Sequence, residues 1–295
     1  MGMGYHVISL LQRLAQKIRR PEGGNERVDL GVLGYQELLL HTDEVKELLP
    51  REKIDDAPVR IGFYSSRLRQ SAPLASISLK EFQRDAYITE GLFKKKIKPK
   101  KDFIDKYHID RLSDLKKHIR SGSILFESNA FFASIGFTHR SLDITQHVGD
   151  EIVCDLNLPV DNSLHGAFDI TVDGGTIEHC FNVPQALANM VHMTRAGGAV
   201  FHVSPVSWPN HGFYNFNPCL FHEFYSANGF STVYALCGFN AGMEPLYEVS
   251  LSERFPLPPE RTILFFGAIK NEHVQNIKWP IQGVYANKPA MPKGA

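Results

Sequence analysis

The sequence predicts a doubly wound α/β fold over its C-terminal part, and three observations predict it. From Ser123 onward, short β-branched and aromatic runs alternate with helical stretches, the pattern of βαβ units around a parallel sheet. The pieces between these runs are short, as such a sheet tolerates. Several runs end on an acid, and ligands of doubly wound sheets sit beyond the carboxyl ends of the strands.

Composition is compatible with this fold. The 295 residues are 43% hydrophobic and 22% charged, ordinary for a globular chain, and the length allows one large domain or two small ones. Lysine plus arginine (32) cancels aspartate plus glutamate (32), so no global field draws the chain to nucleic acid or an anionic membrane. Cys154, Cys180, Cys219 and Cys237 form no CxxC pair, which fits reduced thiols and a cytoplasmic location. No apolar run approaches the roughly 18 residues of a membrane span.

Taken in order, the first element is an N-terminal helix whose Val7, Leu10, Leu11, Leu14 and Ile18 recur at helical spacing and which Pro21 ends. Its apolar core is too short for an export signal and its positive charges follow that core. Residues 1–110 are expected to form a mostly helical extension or cap, with one strand-like run at Val59 to Ser65. The basic run Lys94 to Lys101 reads as a solvated linker, because it carries no aromatic platform for bases. Tyr107 to Ile119 is an amphipathic helix, and the α/β domain spans 111–295. Its seven candidate strands are SILFES, RSLDI, EIVCDL, FDITVDGG, AVFHVSP, STVYAL and RTILFFGAI, with helices opening at Val183 and Pro218.

The strand ends hold the candidate binding residues. In FESNAFF, Glu127 and Asn129 occupy the turn where a nucleotide-binding fold places glycines. Asp143 follows Glu127 by sixteen positions, near the roughly 20-residue spacing at which an acid meets a ribose. Asp155 closes the third run, either as a ligand contact or as a turn cap. Asp173 tips the fourth, and Gly174 and Gly175 let the chain turn there. Glu178 and His179 follow within one turn, and Asn182 caps the next helix.

From about Leu115 to Lys270, roughly half of the protein, these residues resemble a class I S-adenosylmethionine-dependent methyltransferase, a Rossmann-like fold. The segment FDITVDGGTIEHCFNVPQALANMVHMTRAGGAVFHVSP is similar to that family's fourth strand, following helix, glycine-bearing turn and fifth strand. The resemblance implies a seven-stranded sheet with a final antiparallel hairpin and S-adenosylmethionine as cofactor. It also implies that Glu127 and Asn129 line the cofactor turn and that Asp143 takes the ribose hydroxyls. Asp155 and Leu156 would flank the adenine, with Asp173 and Gly174 facing the methionine portion. The family's GxGxG is absent from that turn.

The stretch Ser204 to Phe230 resembles the substrate-facing loop of this fold and crowds Trp208, Asn210, His211, Phe213, Tyr214 and Asn215 together. His211 is expected as general base on a hydroxyl or amine acceptor, with His179 and Glu178 as orienting pair and Tyr214 beside them. The flat side chains suit a small-molecule acceptor, a sugar or a ring-bearing metabolite. Methyl transfer requires no metal. Two other readings are a methyltransferase-like scaffold that has lost its cofactor and serves as a binding subunit, and a metal enzyme ligated by His179, His202 and His211 with Glu178 in support. No basic stripe supports a nucleic-acid partner, and a homo-oligomer is compatible with the sequence.

Overall fold

Val7, Ile8, Leu10, Leu11 and Leu14 line one face of the first helix, α1 (Tyr5–Ala15), and all are buried, as their spacing requires. The structure is a computed structural model and describes residues 3–20, 23, 26–69, 76–90, 96–146, 151–239, 245–251 and 261–286. Two compact units divide the chain at Asp155/Leu156, not near residue 110; Lys17–Arg20 belongs with the second. Among the described residues no helix is long and apolar enough to cross a membrane, and the four cysteines are free.

In chain order the strands of the first unit are β1 (Val28–Leu33), β2 (Leu38–His41), β3 (Pro58–Arg60), β4 (Ser76–Ser78), β5 (Tyr87–Glu90), β6 (Lys96–Pro99), β7 (Ser123–Phe126), β8 (Phe137–Asp143) and β9 (Ile152–Val153). Six of them lie before residue 110, among the helices Tyr5–Ala15, Thr42–Leu48, Ser66–Arg69, Leu79–Asp85 and Lys101–Lys106, so that segment mixes strands with its helices. β1 pairs parallel with β8, Val28 opposite Phe137 and Leu33 opposite Leu142, and β8 pairs parallel with β9. All of β1 but Asp29 is buried, as a strand covered on both faces must be.

The run SILFES is therefore not the first strand of the parallel arrangement. It forms β7, which pairs antiparallel with β2 and β3 in a separate sheet of order β2-β7-β3-β4. Its burial on both faces is what made it look like a parallel strand. The basic run is not a free linker either, because Lys96–Pro99 pairs antiparallel with Tyr87–Glu90; residues 94 and 95 of the run lie outside the described residues. The amphipathic helix α2 (Leu112–Ser121) buries Leu115 and Ile119 and ends on left-handed Gly122.

The second unit is the better-read half. Its elements are β10 (Phe168–Asp173), the helix α3 (Val183–Met193), β11 (Thr194–Ser207), the helix α4 (Pro218–Ala227), β12 (Phe230–Phe239), β13 (Tyr247–Glu248) and β14 (Thr262–Lys270). β10 and β11 are parallel, joined through α3; β14 then pairs antiparallel with both β11 and β12. Both helices open where local chemistry says: the Asn182 side chain accepts from Gln185 N, and a proline occupies the first turn of each. The stretch TRAGG bulges out of register between Phe168↔Thr194 and Ile170↔Ala199, and a Cβ on Gly198 would stand 2.4 Å from the Asp169 carbonyl. Phe201, Phe221, Tyr225, Phe265 and Phe266 fill the core.

Candidate functional site

The carboxyl end of β1 is where the first unit departs most from the sequence reading. The Gly34 amide donates to the Leu142 carbonyl at 2.6 Å, and the Tyr35 amide donates to Asp143 Oδ2 at 2.8 Å. Thr145 N donates to Asp143 Oδ1 at 3.2 Å, so the carboxylate of the last residue of β8 is held by backbone amides from two directions. Asp143 thus lies where expected, at a strand end next to a glycine-bearing turn. That turn begins at Gly34, directly after β1, and is not FESNAFF. Its signal, an apolar run closing on two glycines in VDLGVLGY, was present in the sequence. Burial pushes the Tyr35 phenol up to about 12, against a smaller opposing effect of Arg60.

Glu127 and Asn129 do other work. Glu127 is buried and caps the helix Ser128–Ser134, accepting from Asn129 N at 2.9 Å and Ala130 N at 2.6 Å, while the Asn129 side chain bonds His139. They belong to the antiparallel sheet's β7 end, and the cofactor-turn assignment is corrected accordingly. Asp155 is exposed, whereas Leu156 is buried and its carbonyl accepts from Asn189 Nδ2 at 3.1 Å.

In the second unit Asp173 ends β10 with no exposed surface. Oδ1 accepts from Thr176 N (2.9 Å) and Ile177 N (3.2 Å); Oδ2 accepts from His202 Nδ1 (2.9 Å) and Ser204 Oγ (3.3 Å). His202 Nε2 meets the Tyr225 hydroxyl at 2.7 Å. Burial, then the nearby Asp173 carboxylate, hold the Tyr225 phenol well above its ordinary pKa. With four donors on one carboxylate, Asp173 fixes the Gly174–Ile177 turn and the His202 ring; it does not face outward. His202 is accordingly absent from the histidine cluster described next.

Glu178, His179 and His211 come together as the sequence reading expected. Glu178 is fully buried, and neither of its carboxylate oxygens has a hydrogen-bond partner among the described residues. His211 Nε2 stands 3.6 Å from Oε1 and His179 Nε2 stands 4.0 Å from it, both beyond hydrogen-bond range. His211 Nε2 is itself buried and unpartnered. Burial, and secondarily the Asp173 carboxylate, raise the Glu178 pKa to about 8. Burial lowers both His179 and His211, the latter also through His179 beside it.

Two contacts hold the loop on this turn. Phe213 N donates to the Glu178 carbonyl at 2.8 Å. Gly212 lies so close that a Cβ would stand 2.7 Å from that carbonyl and 2.8 Å from Glu178 Cγ, so no larger residue fits. The Trp208 ring stacks on His211 at 4.2 Å and fixes its plane. Tyr214 is not in the cluster: its hydroxyl donates to the Phe181 carbonyl at 3.0 Å and its ring stacks on Phe216. A buried carboxyl flanked by two neutral imidazoles can accept a proton or hold a cation.

No family model matches the chain, and no curated protein matches it. Solved structures similar to it include TehB from Haemophilus influenzae (14% identity, 57% of this chain and 65% of that one, TM-score 0.35). Another is the 1,6-didemethyltoxoflavin N1-methyltransferase of Burkholderia thailandensis with S-adenosylhomocysteine (17%, 48% and 65%, 0.33). A third is an S-adenosylmethionine-dependent methyltransferase of Thermotoga maritima, a possible histamine N-methyltransferase (13%, 45% and 73%, 0.33). The chain spans 65% of the first two. TM-scores this far below 0.5 bear on neither fold nor activity, which rest on the chain's own elements.

Proposed function

We propose that the protein is an S-adenosylmethionine-dependent methyltransferase acting on an oxygen or nitrogen acceptor of a small molecule. The observation that carries this reading is the Asp143 carboxylate, anchored by the Tyr35 amide just beyond Gly34, where the chain turns after β1. An anchored acid at the end of a strand parallel to a glycine-bearing one is suited to a ribose hydroxyl pair. The element order β10, α3, β11 and the antiparallel β14 and β12 supports it as well, since the resemblance noted above implies that order.

These residues fit the cofactor. Asp143 would hold the ribose, with Asp155 and Leu156 assigned to the adenine; Asp173, its lone pairs already taken, is not assigned a contact. When bound, S-adenosylmethionine supplies an electrophilic methyl group. The chain's task at the acceptor is alignment and removal of its proton. Removal depends in this reading on His211, with Glu178 and His179 behind it and Trp208 fixing the ring.

Calorimetry with S-adenosylhomocysteine tests the reading: wild type binds it and Asp143→Ala binds it more weakly. No heat and no thermal shift at millimolar ligand would overturn it and favour a binding subunit. Once an acceptor is found, His211→Ala should lower single-turnover rates by about 10² to 10⁴ with cofactor affinity nearly intact. Parallel losses of stability and cofactor affinity would instead mean that His211 only packs the loop.

A further inference from the structure

The Glu178 cluster carries an unusual deficit. A fully buried carboxyl with no hydrogen-bond donor on either oxygen among the described residues is costly in an apolar surround. Its nearest polar neighbours are two imidazole nitrogens at 3.6 and 4.0 Å, too far for hydrogen bonds. One ligating atom from each of Glu178, His179 and His211 lies within 4.8 Å of the other two. Bonds of roughly 2.0–2.2 Å to a shared tetrahedral ion separate its ligands by about 3.4 Å. The 3.6 and 4.0 Å spacings exceed this by 0.2 and 0.6 Å and the third is at most 4.8 Å, so side-chain movements of up to about 1 Å close the three atoms around an ion.

We propose that Glu178, His179 and His211 form a mononuclear site for a divalent transition metal of the zinc class. Two imidazoles and one carboxylate are the donor set of such ions; calcium and magnesium take oxygen ligands. The loop is clamped for it by the Phe213–Glu178 backbone bond and by the absence of a side chain at Gly212. Trp208 stacked on His211 orients one ligand, and the 49% exposed His179 side chain leaves a side of the site open to an exchangeable ligand. His202, engaged by Asp173 and Tyr225, is not a ligand.

This site exists independently of methyl transfer. Its use in the methyltransferase reading differs from the base role given above: with the ion bound, His211 Nε2 is a ligand and takes no proton, and the cation would instead polarise an acceptor oxygen and make its proton easier to remove.

The test is zinc titration of the metal-stripped full chain by calorimetry, with Co²⁺ absorption reporting coordination number. One ion per chain is expected. His211→Ala and His179→Ala should each weaken binding by at least about 100-fold, since even the outer partners of ligands cost 10- to 100-fold. His165→Ala should leave it unchanged. No binding at about 100 µM zinc, or equal binding by all variants, would overturn the site. If Glu178→Gln does not fold, His179→Ala still decides, because that side chain is half exposed. Zinc binding without S-adenosylhomocysteine binding sinks the methyltransferase reading alone; the reverse sinks the metal site alone.

Discussion

Asp173 and Glu178 are five residues apart, both fully buried, and each faces a histidine from farther along the chain. They differ in what reaches them. Four donors converge on Asp173, from two backbone amides, His202 and Ser204, and a second tier at Tyr225 completes the chain of bonds. Among the described residues no donor reaches either carboxylate oxygen of Glu178. Burial and an acid–histidine pair therefore do not by themselves mark a functional site; the account of hydrogen bonds does. The saturated acid holds the β10–β11 end in place, and the unsatisfied one is available to a ligand.

The largest expected effect tests the saturated pair. Asp173→Ala leaves His202, Ser204 and two amides without their acceptor, and should cost about 3–5 kcal/mol by denaturant unfolding or prevent folding. A loss under 1 kcal/mol would erase the contrast drawn here. Tyr225→Phe removes only the outer hydroxyl and should cost about 1–3 kcal/mol, measured the same way.

A third measurement uses another buried ionisable group of this unit, Lys270. Lys270 Nζ donates to the Val191 and Thr194 carbonyls at 2.6 Å each, and burial lowers its pKa from 10.5 to about 8. The unfolded chain thus binds more protons between these values, so Lys270 makes unfolding free energy rise with pH from about 8 to 10.5. Lys270→Met should flatten that rise; an unchanged slope would show that the amine is charged and solvated in the fold. The smallest effect belongs to the unsatisfied acid. In metal-stripped protein Glu178→Gln should shift stability by no more than about 1 kcal/mol, because no bond is lost. With zinc present, the wild type alone should gain melting temperature.

The two units also differ in how far they could be read. In the second, helix starts at Val183 and Pro218, four of the strands, and the meeting of Glu178, His179 and His211 were all legible. Caps, first-turn prolines and β-branched runs act within a few residues, so the chemistry that builds these elements is written beside them. Asp143 at a strand end was legible for the same reason. In the first unit β1 was missed, because VDLGVL interrupts its apolar run with an acid and a glycine and, being buried on both faces, shows no alternation. The strand character of SILFES was legible, but its neighbours were not.

By itself, then, the sequence determined which short segments become helices and strands, that the chain mixes α and β, and which polar residues stand at strand ends. Only the tertiary structure decided that β1 and not β7 lies beside β8, that Glu127 caps a helix, that Tyr214 turns away to Phe181, and that Asp173 is saturated while Glu178 is not. Element type follows from periodicity and capping over a few residues. Strand partners and the side chains that reach a buried carboxyl come from positions tens of residues away, as His202 and Ser204 reach Asp173 while His211 stops 3.6 Å short of Glu178, and no local pattern encodes which of them arrive.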